Sequence, residues 1–198
     1  MSNYNQVLAK TQTTDIDYFL ELVNNSPARG ILHDEKIDII KNCMLAAQKL
    51  WERFQIKDKS SPLSLIEGIG YQLVEEFDFS LMPIFAVCDP NEKKVVMNVR
   101  AVNKASAILK EWLELDDKWA VNFESLVLWH ELFHIFEEED ETIYTRQPIL
   151  EKHFLGRRKR LPLDCASEIG AIYFSKLATN LSFNPRVFEG IDAKIFDV

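Results

Sequence analysis

Apolar positions recur at helical spacing over most of this chain and change to a shorter period once, near its middle. Ile16, Phe19, Leu20 and Val23 make a first stripe. Thr14-Asp15 can cap it, and Asn24-Asn25-Ser26-Pro27 would stop it. A longer helix opens at Asp34, beside His33, and carries Ile37, Ile40, Met44, Ala47, Leu50, Trp51 and Phe54 on one face. Residues 57–62, KDKSSP, read as a turn in which Ser61 caps a third helix and Pro62 takes its first position. Gly68 and Gly70 keep that helix short. Residues 1–60 are therefore expected to form a helical N-terminal part packed on a domain spanning 61–198.

From Tyr71 the texture changes. YQLVEEF, PIFAVCD and KKVVMNV are short runs rich in β-branched and aromatic residues, and DPNEKK (89–94) between the last two is a turn signal. They predict a hairpin within a small, mostly antiparallel sheet. Helical spacing returns in ASAILKEWLEL (105–115), followed by a loop at DDKW. Asn122 then caps a helix that is apolar all round, FESLVLWHELFHIF (123–136). An acidic block, EEEDE (137–141), opens a polar insert that ends in GRRKR (156–160), expected to be a solvated loop. DCASEIGAIYFSKLA (164–178) is the last good helix. Helices, then a sheet, then helices give an α+β fold without internal repeats.

Composition narrows the function classes. The chain has 198 residues, 47% hydrophobic and 27% charged, which suits a packed core and excludes a disordered or collagen-like chain. No run approaches the roughly 20 apolar residues of a membrane span. The net charge of −8 argues against nucleic acid as the main partner. Cys43, Cys88 and Cys165 are too few and too far apart for a disulfide framework or a thiol zinc site. With no secretory leader visible, they predict buried thiols in a cytoplasmic protein. Trp51, Trp112, Trp119 and Trp129 read as core contacts.

The chemistry sits in the apolar helix. His130-Glu131-Leu132-Phe133-His134 is an HExxH motif, expected by chance in roughly 0.007 of chains of this composition. Residues four apart lie about 40° apart around a helix, so both imidazoles can grip one ion. Glu131, beside that face, can take a proton from a metal-activated water. Two histidines and a carboxylate in so apolar a helix are costly unless something pairs them.

A catalytic zinc needs a third ligand. Asp140 stands six residues after His134, where metzincins place theirs, but that class needs a glycine where this chain has Glu137. His153 could complete a three-histidine site of the SprT-like kind. Glu168 is the stronger candidate: it shares a helix face with Ala171, Ile172 and Ser175, and small Ala171 would let that helix approach the first. Zinc held by His130, His134 and Glu168 is the expected cofactor. Tyr144, Arg146 and Tyr173 are candidates for stabilising an oxyanion, and an edge strand, PIFAVCD or KKVVMNV, could pair with an extended peptide.

With Glu168 in place the chain is gluzincin-like and resembles the ImmA/IrrE family of zinc-dependent peptidases. VCDPNEKKVVMNV is similar to the family's short hairpin before the active-site helix. LVLWHELFH is similar to its T-L-A-H-E-L-G-H, and SEIGAIYFSKLA to its E-x-E-A-N-x-F-A, matching Glu168, Ala171 and Phe174. The likeness covers roughly residues 61–180. Phe133 replaces the usual glycine between the histidines, Gly170 and Ile172 replace a Glu and an Asn, and no L-M-P follows. The resemblance implies a zincin-like fold and hydrolysis of a peptide or protein substrate, a transcriptional repressor being one such partner. The rival reading is a catalytically idle zincin-fold binding or regulatory protein of phage or toxin type. Residues 123–141 hold seven acids and no Lys or Arg, leaving −1 for the rest of the chain. That local field would favour basic peptide segments.

Overall fold

The structure, a computed structural model, describes residues 2–55, 61–76, 84–154 and 157–189. Its helices are α1 (Ser2–Lys10), α2 (Asp15–Asn24), α3 (His33–Gln55), α4 (Pro62–Gly68), α5 (Val99–Leu113), α6 (Phe123–Glu139) and α7 (Asp164–Ala178). Strands β1 (Gln72–Glu76), β2 (Ala86–Asp89) and β3 (Lys94–Asn98) form one sheet, and β4 (Leu150–Phe154) pairs with β5 (Arg157–Leu161) in a second. The fold is α+β. Among the described residues no helix is long and apolar enough to cross a membrane.

Helix starts follow the expected chemistry. The side-chain oxygens of Thr14, Ser61 and Asn122 accept the amides of Asp17, Ser64 and Ser125, satisfying N–H groups that the first turn leaves unpaired. Gly70 stops α4 at φ +94°, a left-handed conformation that a side chain would strain. Helix α5 begins six residues before the expected position. Asn98, the last residue of β3, accepts the Ala101 amide with its side-chain oxygen, so strand runs into helix without an intervening loop.

The three-stranded sheet is mixed rather than mostly antiparallel. The β2–β3 hairpin closes across residues 89–94 as expected, but β3 is central and β1 runs parallel to it, Val74 opposite Val96. Pairing β1 to β3 leaves β2 at an edge. The expected solvated loop also needs correction, because residues 157–160, RRKR, lie in strand β5 of the antiparallel pair β4–β5, with Leu150 opposite Leu161. Leu150 is buried and Leu161 packs beside it under α3 and α7, so two apolar residues anchor an otherwise basic strand.

Helix α6 runs through the middle of the molecule. It is flanked by α4, α5, α7 and β2, which explains why it is apolar all round. Trp119, Phe123 and Phe188 form an aromatic cluster at its N-terminal end. Trp129, Phe133 and Phe174 form another where it meets α7. Of the expected core tryptophans, Trp112, Trp119 and Trp129 are buried and Trp51 packs edge-on against Trp129. Helix α3 lies across α7 and joins the N-terminal helices to a third cluster with Ile40, Cys43, Ala166 and Ile169.

Helix α7 meets Phe133 of α6 at Gly170. A Cβ there would stand 2.4 Å from Cζ of the fully buried Phe133 ring, so glycine, more than Ala171, lets the helices close. Gly170→Ala is expected to cost about 1–3 kcal/mol by overpacking. In a Phe133→Ala background the same substitution should cost less, because Thr145 Cγ2 at 3.1 Å is then the nearest neighbour left and helix propensity favours alanine. Urea unfolding of the four proteins in this cycle measures the coupling.

Candidate metal centre

Three of the residues singled out in the sequence converge. His130 and His134 sit one turn apart on α6, and Glu168 faces them from the first turns of α7. His134 Nε2 lies 3.1 Å from His130 Nε2 and 3.5 Å from Glu168 Oε1, while His130 Nε2 lies 3.5 Å from Glu168 Oε2. A tetrahedral zinc with bonds of about 2.0–2.1 Å needs ligand atoms about 3.3–3.4 Å apart. The donor set fits such an ion in both spacing and chemistry. Asp140 does not join it: it follows α6, bonds Thr142 and approaches Arg53. His153 lies in β4, and its side chain falls outside the described residues.

The electrostatics suit a cation. Burial and the neighbouring His134 ring push the His130 pKa down to about 3, keeping that imidazole neutral. Burial pulls on His134 in the same direction, but the hydrogen bond to Glu137 and the charges of Glu168, Glu131 and Glu137 outweigh it and raise its pKa. Glu131 is 5% exposed, and burial lifts its pKa to about 7, with Glu168 adding to the rise against His134 and a bond from the Cys88 amide. Among the described residues no Lys or Arg forms an ion pair with Glu131, Glu137 or Glu168.

The cluster opens on a cleft of about 690 Å³ that follows α6. One end is lined by Phe85, Phe123, Leu126, Val127, Ile172 and Phe188, the other by Glu138 and Arg146, which pair at 2.8 Å. Arg146 is therefore the oxyanion candidate that reaches the cleft. Tyr144 bonds Asn42 and Tyr173 lies beneath Lys176, and neither lines it. Strand β2 forms a wall. The Asn98 amide donates to the Phe85 carbonyl, so by alternation Ala86 and Cys88 turn their amides away from β3 toward the open edge. Cys88 is half-buried here, and burial followed by Glu131 pushes its thiol up to about 12; Cys43 and Cys165 are buried elsewhere.

Three polar residues of the site escaped the sequence reading. Glu137 is 2% exposed rather than part of a solvated acidic block, and it accepts from Thr145 Oγ1, Ser167 Oγ and His134 Nδ1. Its spacing of three from His134 was the available signal, since that puts it on the histidine face. Ser167 also lies 3.0 Å from His134 Nδ1.

No family model, curated protein or solved structure matches the chain.

A carboxyl whose pKa is raised on folding contributes stability below its unfolded pKa, near 4.5, and loses it as pH rises through about 7. In metal-free protein Glu131→Gln should therefore raise Tm by several degrees at pH 8, on the order of one or two kcal/mol. The gain should vanish near pH 4, as thermal unfolding across that range will read.

Proposed function

We propose that this chain is a zinc-dependent metallopeptidase of zincin-like fold, using His130, His134 and Glu168 as ligands and Glu131 as general base. The observation that carries the reading is the convergence of two imidazole nitrogens and a carboxylate, 3.1–3.5 Å apart, beside a second carboxylate buried in the same cleft. A structural zinc site has no use for Glu131, whereas hydrolysis does.

Zinc bound there supplies Lewis acidity, polarising a peptide carbonyl and acidifying water. The chain supplies the rest. Glu131, held by the Cys88 amide, accepts the proton of the attacking water and returns it to the leaving amine. The open edge of β2 gives an extended peptide a backbone to pair with, which favours unfolded or looped segments over folded surfaces. Arg146, which lines the cleft and pairs with Glu138, is the cation that would stabilise a developing oxyanion once released from that pair. A specific protein substrate in the cytoplasm, a repressor among them, accords with the sequence resemblance to the ImmA/IrrE peptidases.

Protein purified without added metal should carry about one zinc per chain, lost in Glu168→Ala and retained in His153→Ala. Cleavage of a proteome-derived peptide library by the wild type should fall by about 10²–10⁴ in Glu131→Gln. Identical peptide profiles for the two proteins would overturn the peptidase reading and leave a zincin-fold binding protein.

A further inference from the structure

Among the described residues the buried carboxylates are Glu131 and Glu137, and the reaction above uses only the first. Glu137 is enclosed without a Lys or Arg partner, a costly state for a charge unless its bonds and a nearby cation compensate it. Its donors come from three separate elements. His134 Nδ1 on α6 lies 3.2 Å from Oε2, Ser167 on α7 donates to the same oxygen, and Thr145, in the single turn 144–146, donates to Oε1.

We propose that Glu137 is the positioning residue of the metal centre. It holds the His134 proton on Nδ1, so that Nε2 faces His130 and Glu168 as a lone pair. Through Ser167 it also fixes the turn of α7 that carries Glu168. The proposal rests on the metal-centre reading above.

The argument is one of donors and acceptors. A carboxylate can only accept, so the ring atom hydrogen-bonded to Glu137 carries the hydrogen, and the opposite nitrogen, 3.5 Å from Glu168 and beyond an ordinary hydrogen bond to it, is left free for an ion. Ser167 spends its own hydrogen on Glu137, which leaves its oxygen able to accept from His134 at 3.0 Å but not to donate. Both partners of Nδ1 thus demand the same tautomer. Ser167 immediately precedes Glu168, so the bond that orients the ring also sets the height of the third ligand along α7. A partner of this kind tunes metal affinity, typically by 10–100-fold.

Glu137→Gln separates positioning from mere anchoring of the 144–146 turn. The amide oxygen can still accept from Thr145, but the amide nitrogen then faces His134 Nδ1 as a donor and favours the wrong tautomer. Nitrogen-15 NMR of the histidines, in metal-free protein in mildly alkaline buffer, should show wild-type His134 protonated at Nδ1. Glu137→Gln should move that proton to Nε2. Competition with a chelator should show zinc affinity lowered about 10–100-fold in Glu137→Gln. Ser167→Ala and Thr145→Val, which keep the carboxylate on the ring, should lose less than about tenfold.

A wild-type His134 carrying its proton on Nε2 overturns the proposal, whether or not the variant folds. So does a Glu137→Gln protein with wild-type tautomer and zinc affinity. If the wild type binds no zinc while His134 shows the Nδ1 tautomer, the metallopeptidase reading fails and the tautomer assignment stands.

Discussion

The approach of α6 to α7 is the constraint on which the rest of this structure depends. Phe133 fills the space that a side chain at position 170 would take, and glycine there lets the two helix backbones close around the ring. His134 is the next residue along α6, and Glu168 lies half a turn before Gly170 on α7. The 3.5 Å spacings from Glu168 to the two rings are therefore set by hydrophobic packing one or two residues away from the chemistry. Core packing is dense and tolerates displacement poorly, so a contact of this kind fixes a site more tightly than flexible polar bonds could. Phe133 and Gly170 act as one unit, a large residue on α6 packed against a small one on α7.

Charge supplies the second constraint. Glu131, Glu137 and Glu168 gather around two imidazoles with no Lys or Arg in ion-pair contact among the described residues. Hydroxyls can solvate one such carboxylate, as they do for Glu137, but they carry no net positive charge. A divalent cation at the converging nitrogens would offset the excess and strengthen each bond in the network. The acidic run of the sequence is divided between this interior and a rim where Glu138 pairs with Arg146 and Asp140 approaches Arg53. Only the interior portion adjoins the His130, His134 and Glu168 cluster.

Local signals in the sequence were legible where a short stretch of chain decides its own structure. The caps at Thr14, Ser61 and Asn122, the all-apolar α6 and the hairpin around residues 89–94 are of this kind. So is the pairing of His130 with His134, because a helix fixes the geometry of residues four apart. Glu168 was legible less directly, as a carboxylate that needed a partner on a helix with a low face. The rest depends on contacts between distant segments. Helix α1 is held by Val7 and Tyr4 against Trp112 and Trp119, over a hundred residues away, and its own apolar stripe is weak. Asn98 caps α5 from inside a strand, where β-branched neighbours conceal it. The parallel pairing of β1 with β3 leaves no mark in either strand, and the basic residues of β5 outnumber the one buried contact that anchors it.

Glu137 shows how a residue can be read correctly for what it excludes and still be misplaced. A glycine at that position would end the helix and let the following chain turn back to offer a ligand, as in metzincins. With glutamate there, α6 continues to Glu139, and the segment after it brings Thr145 to Glu137 while Asp140 stays out of the cluster. In the proposed metal centre the third ligand then comes from another helix, packed closely enough for Glu168 to reach both rings. The same continuation keeps residue 137 on the histidine face, where its carboxylate can hold His134. A ligand from α7, a glycine at the helix contact and a buried carboxylate behind the second histidine are thus linked consequences of one helix running a turn further.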